Sequence, residues 1–432
     1  MLNVPEWFGT VAPPLREPGE VIGFRAPVDG QVRPKPRVSS NGWHYVAAEQ
    51  RYLVEAVTYQ TAALYYDAWV ALATRALEAN AFYDPCFALP AALHLSASKR
   101  VQFLLVWDEA AGERIRLCGL LPFNLRRTLT GRPFAENWLH DFAALGTPLI
   151  DREHAIETLD LMLDWLHRQY PGAVGLMFRK LRGDGSIVSL LRTRAALTGR
   201  EMREFDRHER AALPVGDTGD KLLVRALSSK KRRELRRQRN RLSDHGALTY
   251  TSARSSTDVR AAAEEFLALE ASGWKGERGT AFLNDAGRST FLRTVTRLMA
   301  RDDKCRFDAL RVDGKPVAMG IVLRDRDCAW LWKIAFDEDY AATSPGVQFL
   351  LDFTRVQLAE AGVHLTDSAA IPDHPMINHI WRDRVAITDT LISMATHHTR
   401  MFALHAFLER RLRQVRELVK TIYYRLRHRT RT

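Results

Sequence analysis

Apolar and polar residues alternate with two different periods along this chain, and each change of period marks an element. RFDALRVDG and KPVAMGIVLRD are apolar runs of strand length that meet at Asp313-Gly314, a strong hairpin signal. CAWLWKIAF, beginning at Cys328, reads as a buried strand. A polar turn with Ser344-Pro345-Gly346 follows, then an amphipathic helix, and after Gly362 a short strand ending at Asp367. Strand, turn, helix and strand make a βαβ unit. Its turn presents backbone N–H groups at a helix N-terminus, which suits an anion such as a pyrophosphate.

The same reading extends upstream. Residues 50–79 carry a long helical pattern through Leu53, Ala56, Val57, Leu64, Trp69 and Leu72. A second helix is expected from Cys86 to about Leu95. VQFLLVWDE and RIRLCGLLPF read as two strands joined near Ala111-Gly112. A helix over 153–169, a strand over 173–179 and a further strand at GSIVSLLRT follow. A basic helix covers 219–245, with helices over 257–271 and 287–300 on either side of the loop SGWKGERGTAF. Helix, helix, strand, strand thus occurs in both halves and predicts two related αβ domains. The expected organisation is an irregular arm (1–44), a first domain (45–218), a basic linking helix (219–246), a second domain (247–395) and a tail (396–432). In the tail, Met401, Leu404, Leu408, Leu412, Val415, Val419, Ile422 and Leu426 form one apolar face of an otherwise basic helix.

Composition agrees with two cores. Single cores rarely exceed about 250–300 residues, and this chain has 432 with 46% hydrophobic content. Its net charge of +12 is local: residues 221–245 and 400–432 each carry +8, leaving −4 for the remainder. A surface devoted throughout to nucleic acid is therefore not expected, whereas two local basic features are. The four cysteines are scattered and form no CxxC pair, so neither a zinc ribbon nor a disulfide framework is indicated, and Cys118 and Cys328 read as buried thiols. The N-terminus has no apolar h-region, and no run of about 18 apolar residues occurs. A cytoplasmic protein, with peripheral contact at an inner membrane as an option for the tail, is expected.

Four segments in order, KKRRELRRQRNRLSDHG (230–246), LEASGWKGERGTA (269–281), IAFDEDYAATSPGVQFLLDFT (334–354) and TDSAAIPDHPMINHIW (366–381), resemble GNAT-superfamily acyltransferases of the cellulose-biosynthesis (CelD/BcsL-like) group. These are distant relatives of the tandem-GNAT Fem peptidyltransferases. The likeness spans about 219–382, is weaker over 45–200 and stops short of both ends. It departs from the usual glycine-rich loop: Ala342 to Gln348 contains one glycine, and Pro345 removes an N–H donor.

The resemblance implies an α/β (α+β) fold of tandem GNAT-like domains, each a mixed, mostly antiparallel sheet flanked by helices. It implies an acyltransferase with acetyl-CoA or another acyl-CoA as co-substrate and no metal. The acceptor would be an amine or hydroxyl on a small molecule, a glycan or an envelope or exopolysaccharide precursor. An aminoacyl-tRNA donor is the alternative. The backbone amide of Ile334 or Ala335 would stabilise the oxyanion, and Ser344, Gly346, Val347 and Gln348 would hold the donor phosphates. Asp367, His374 and Glu270 are candidates for the proton route, and Trp274, Lys275, Lys333 and Asp373 for contact with the acceptor. Each has a plainer reading: Asp367 capping its loop, His374 holding a turn, Trp274 packing on the core, Lys333 reaching solvent. The rival function is a non-catalytic adaptor binding RNA or anionic membrane through the two basic helices.

Overall fold

Fourteen strands join into one sheet among the residues that the computed structural model describes: 24–26, 51–95, 101–110, 112–216, 218–397 and 399–429. The arm expected over 1–44 lies outside these residues, apart from 24–26. The first half supplies β1 (Phe24–Ala26), β2 (Tyr52–Val57), β3 (Gln102–Ala110), β4 (Glu113–Arg127), β5 (Pro133–Asn137), β6 (Leu149–Ile150), β7 (Leu176–Arg182) and β8 (Met202–Pro214). Its helices are α1 (Tyr59–Ala63), α2 (Tyr66–Arg75), α3 (Pro85–His94), α4 (Ala155–Gln169) and α5 (Ser186–Thr198). The second half begins with α6 (Gly219–Ala226) and α7 (Ser229–Ser243), followed by β9 (Leu248–Ala253), α8 (Ser256–Ser272), α9 (Trp274–Glu277) and α10 (Ala286–Arg301). It continues with β10 (Cys305–Val312), β11 (Lys315–Asp325), β12 (Cys328–Phe336), α11 (Pro345–Leu358), β13 (Leu365–Asp367), β14 (Asp383–Ile392) and α12 (Arg400–Arg429).

Most neighbours in the sheet are antiparallel, and each half contains one parallel pair. These are β5 with β7, in register at Ala135↔Leu176, and β12 with β13, in register from Cys328↔Leu365 to Trp330↔Asp367. Between the two pairs the halves exchange strands. β8, from the first half, lies against β13, while β14, from the second, lies between β7 and β8. The sheet is therefore continuous across the molecule, and the last strand of each half completes the other.

Several elements follow directly from local chemistry. Asp313 and Gly314 both have positive φ (46° and 79°), the backbone that a two-residue hairpin between right-twisted strands requires. Ser255 caps α8 through the Asp258 amide, and Asp285 caps α10 through that of Arg288. The expected hairpins and the strand–helix–strand unit around 328–367 are all present.

Three expectations are corrected. Residues 52–57 form β2 rather than the start of a helix, because the segment finds a full antiparallel partner in β3. GSIVSLLRT lies in helix α5, where Ile187, Val188, Leu191 and Ala195 form one buried face at helical spacing. The basic helix is two helices, broken at Leu227–Ser228, where the Ser228 hydroxyl caps α7 by accepting from the Lys231 amide. It is also more than a solvated connector. Leu227, Leu235 and Leu242 are buried in one cluster with Phe349 and Phe353 of α11.

The tail packs on the body at its start: Phe402 and Ala406 join Phe134, Phe205 and Leu391 in a small core. Arg413 anchors the next turns by pairing with Asp389 (2.7 Å) and Glu409 (2.8 Å). On the other side of α12, Phe407, Val415, Leu418 and Val419 are exposed. Among the described residues no helix is long and apolar enough to cross a membrane.

Candidate active site

The mouth of the second parallel pair is built by a change of hydrogen-bonding partner along β12. β13 leaves the ladder after Trp330↔Asp367. On the opposite edge β12 remains paired with β11, but the register jumps from Val322↔Leu331 to Ile321↔Lys333, so Trp332 is a bulge with no residue opposite. Beyond it, Gly320 faces Ile334 and Met319 faces Ala335, and the Asp337 amide donates to Val317 O at 2.9 Å. Amides of an antiparallel strand alternate in direction. Those of Lys333, Ala335 and Asp337 therefore serve β11, whereas that of Ile334 faces the gap that β13 vacated. Of the two expected oxyanion donors, Ile334 has the required direction and Ala335 does not.

At this end of β12 lies a small cleft lined by Glu270, Trp274, Lys275, Ile334, Ala335 and Glu338. Glu270, on α8, is buried and accepts from Lys275 Nζ at 2.7 Å and from the Phe282 amide at 2.9 Å. Gly276 lets α9 turn back tightly, since a Cβ there would stand 1.8 Å from the Ala271 carbonyl oxygen. The Trp274 amide donates to Glu338, and the Arg278 guanidinium lies over its half-exposed ring.

Lys333 precedes Ile334 on β12, outside the lining of this cleft. Its Nζ sits over the rings of Phe142 (5.1 Å), Phe282 (5.8 Å) and Trp332 (5.9 Å). Burial pushes its amine down to about 8, and the charge of Lys275 acts in the same direction. Phe142 belongs to the first half. It lies on the segment between β5 and β6, whose carbonyl accepts from Trp332 Nε1 at 2.7 Å. His140, on the same segment, is kept neutral because burial lowers it to about 3. The first half thus supplies one of the rings around Lys333, which no local pattern announced.

Other expected site residues lie elsewhere. Asp367 is not a base facing the gap. Its Oδ2 accepts from Arg210 Nε at 3.0 Å and its Oδ1 from the Ala369 amide at 2.8 Å, and both partners of this ion pair are buried. The capping reading is therefore correct, reinforced by Arg210, which β8 brings from the other half. His374 Nδ1 accepts from the amides of Met376 (3.3 Å) and Ile377 (3.4 Å), which makes it the holder of a turn. Asp373 is exposed at a positive-φ position in that turn, away from the cleft.

The expected phosphate cradle is also corrected. Ser344 adopts a left-handed conformation (φ 54°), and its carbonyl accepts from both Val347 N (2.9 Å) and Gln348 N (3.1 Å). Those two amides are spent within the first helical turn. Gly346 is buried, with Phe336 Cδ1 3.3 Å and Met376 Sδ 3.4 Å from where its Cβ would stand. The Gln348 side chain turns away and donates to Leu235 O on α7.

Residues 229–368 match the family model described as an acetyltransferase (GNAT) domain. This segment is a GNAT-type acetyltransferase domain. Comparison with curated protein sequences gives no match. Among solved structures, the chain is similar to FemX at 11% identity, over 77% of this chain and 94% of that one, with a TM-score of 0.47. It is similar to the C-terminal domain (DUF2156) of a putative lysylphosphatidylglycerol synthetase from Agrobacterium fabrum at 15% identity, covering 76% and 90%, TM-score 0.47. A tandem GNAT protein from the clavulanic acid biosynthesis pathway aligns at 15% identity over 79% and 98%, TM-score 0.36. Within the GNAT domain of this chain, β12 carries the bulge and the freed amide, and α8 carries Glu270.

Proposed function

We propose that the protein transfers an acyl group from a thioester donor, acyl-CoA, to an amine. The observation that carries this reading is the amide of Ile334. It is turned out of the ladder into the gap beside β13, and it follows in sequence a lysine whose amine burial lowers to about 8. An acceptor nitrogen attacks the thioester carbonyl there, and the carbonyl oxygen takes up negative charge facing the Ile334 N–H. An oriented donor of this kind contributes roughly 3–4 kcal/mol to the transition state. The C–N bond forms and the C–S bond breaks. The nitrogen sheds one proton to neutral Lys333, and the resulting ammonium returns it to the departing thiolate.

Lys333 supports this role through its surroundings. Three rings hold it, no carboxylate pairs with it at ion-pair distance among the described residues, and its amine near 8 is matched to an acceptor that must lose a proton at physiological pH. Glu270, engaged by Lys275 and a backbone amide, positions the cleft instead. Lys275 and Trp274 line the side from which an acceptor would enter.

The test is thiol release from acetyl-CoA with a panel of primary amines between pH 6 and 10, read by mass of the acylated product. The expected rate rises with pH to a plateau above about 8. Absence of amine-dependent product, or full activity in Lys333→Met, refutes the assignment.

A further inference from the structure

A cavity of about 510 Å³ lies between the β4–β5 hairpin and the inner face of α12. That volume is within the roughly 300–1,000 Å³ of sites that take an organic ligand. Both of its walls come from outside the GNAT domain of residues 229–368.

Four arginines line the cavity against two carboxylates: Arg126, Arg127, Arg179 and Arg416 against Glu136 and Glu409. Both carboxylates are already engaged. Glu136 accepts from Arg126 (2.5 Å) and from Arg179, and Glu409 accepts from Arg413 (2.8 Å). Arg127 donates to Gly131 O (2.9 Å), and Arg416 has no partner among the described residues. His405 of α12 also lines the cavity and is only 7% exposed. Burial lowers it below the ordinary histidine value, so it is neutral at pH 7 and adds no charge. Its Nε2 has no hydrogen-bond partner. The cavity is thus short of an anion for Arg127 and Arg416 and of an oxygen for the imidazole.

The rest of the lining is apolar and does not stop at the cavity's edge. Leu408 and Leu412 belong to a stripe that continues along α12 to Val415 and Val419, which are 57% and 60% exposed. Leu129, on the hairpin, also lines the cavity and is 69% exposed. Apolar surface therefore runs from the arginines out onto the free side of the helix.

One occupant must satisfy both halves of this surface. A free phosphate has no use for the stripe. An RNA backbone meets the arginines and leaves the stripe in water. A second copy of α12 covers the stripe but brings the +8 of residues 400–432 against an equal charge. An anionic bilayer supplies an acyl region for the stripe and phosphates for the arginines.

We propose that α12 docks the protein on an anionic bilayer, and that the cavity behind it holds the phosphate headgroup of one phospholipid between Arg127 and Arg416. In the imidazole tautomer protonated at Nε2, His405 donates to a phosphoryl oxygen. This assignment does not rest on the transferase reading.

The test uses the full-length chain. It should sediment with vesicles of phosphatidylcholine and phosphatidylglycerol but not of phosphatidylcholine alone, and release as salt rises. Joint Val415→Asp and Val419→Asp substitution, at exposed positions, should weaken vesicle binding about 10-fold or more. Calorimetry with dihexanoyl-phosphatidylglycerol, below its micelle concentration, reads the cavity without a bilayer. Arg127→Glu and Arg416→Glu should each weaken that binding about 10- to 100-fold. Arg410→Glu, exposed on α12 and off the cavity, should change it less than about twofold, and far-UV circular dichroism checks that all variants fold. Equal sedimentation with both vesicle types, full vesicle binding by the Val415 and Val419 variant, or equal short-chain lipid binding by Arg127→Glu overturns the proposal. Equally effective displacement of the short-chain lipid by inorganic phosphate does so too, as does tighter binding to an RNA oligomer than to the anionic vesicles.

Discussion

Replacing Lys333 with methionine tests the site through stability and activity at once. The structure holds this amine in a ring cage, and burial lowers it from the ordinary 10.5 to about 8. That displacement corresponds to about 3 kcal/mol against the charged amine. Because the folded-state value is depressed, the unfolded chain binds the proton more strongly between about pH 8 and 10.5. Stability of the wild type should therefore rise with pH across that window, and below it the full penalty is present. Methionine has similar length and no charge. Cation–π attraction of roughly 0.5–2 kcal/mol is lost in the exchange. The expected net effect at pH 7 is a gain of about 1–3 kcal/mol, which shrinks towards zero or reverses by pH 10.5. Urea denaturation of both proteins at pH 7, 8.5 and 10 measures it. Turnover should fall about 100-fold at pH 7 and lose its rise towards pH 8. A Lys333→Met protein less stable than wild type at pH 7, or a stability difference independent of pH, would refute the reasoning.

Asp367→Asn should act on folding rather than on chemistry. Removing one partner of the buried pair with Arg210 leaves an uncompensated charge and costs about 3–5 kcal/mol, measurable by urea denaturation. The folded fraction should keep its turnover within about twofold. Gly276→Ala should distort the α8–α9 turn, where the Ala271 carbonyl leaves no room, and raise the acceptor KM with little change in far-UV circular dichroism. Gly320→Ala places a Cβ 2.6 Å from Phe349 and should cost about 1–3 kcal/mol through overpacking. Residues 219–432 expressed alone should not fold cooperatively, because β13 would lose β8 and β14 would lose both its neighbours. A cooperative calorimetric transition in that fragment would contradict the strand exchange.

The parts of the molecule legible in the sequence are those whose partners are close in the chain. The β10–β11 hairpin, β12, α11 and β13 follow from short-range period and from Asp313-Gly314, Ser344-Pro345-Gly346 and Gly362. Glu270, Trp274 and Lys275 are close in the chain, on α8 and α9, but they meet Ile334 of β12 only after α10, β10 and β11 have intervened. β8 and β14 escaped notice for the opposite reason. MREFDRHERAALP is too polar to declare itself as a strand, and it is one because β13 and β14 lie on either side of it. β2 was misassigned for a related reason, since YLVEAV fits a helical period until β3 pairs with it.

The amino-acid order by itself indicated αβ elements in both halves, the resemblance of the second to GNAT-type acetyltransferases and the residue types available at the end of β12. Only the tertiary structure decided which of those groups is free to act. Asp367 met Arg210 across 157 positions, the amides after Ser344 turned inward onto its carbonyl, and Phe142 arrived from the other half to enclose Lys333. Direction, burial and pairing at a site are set by neighbours remote in sequence, whereas local period reports only a residue's own element.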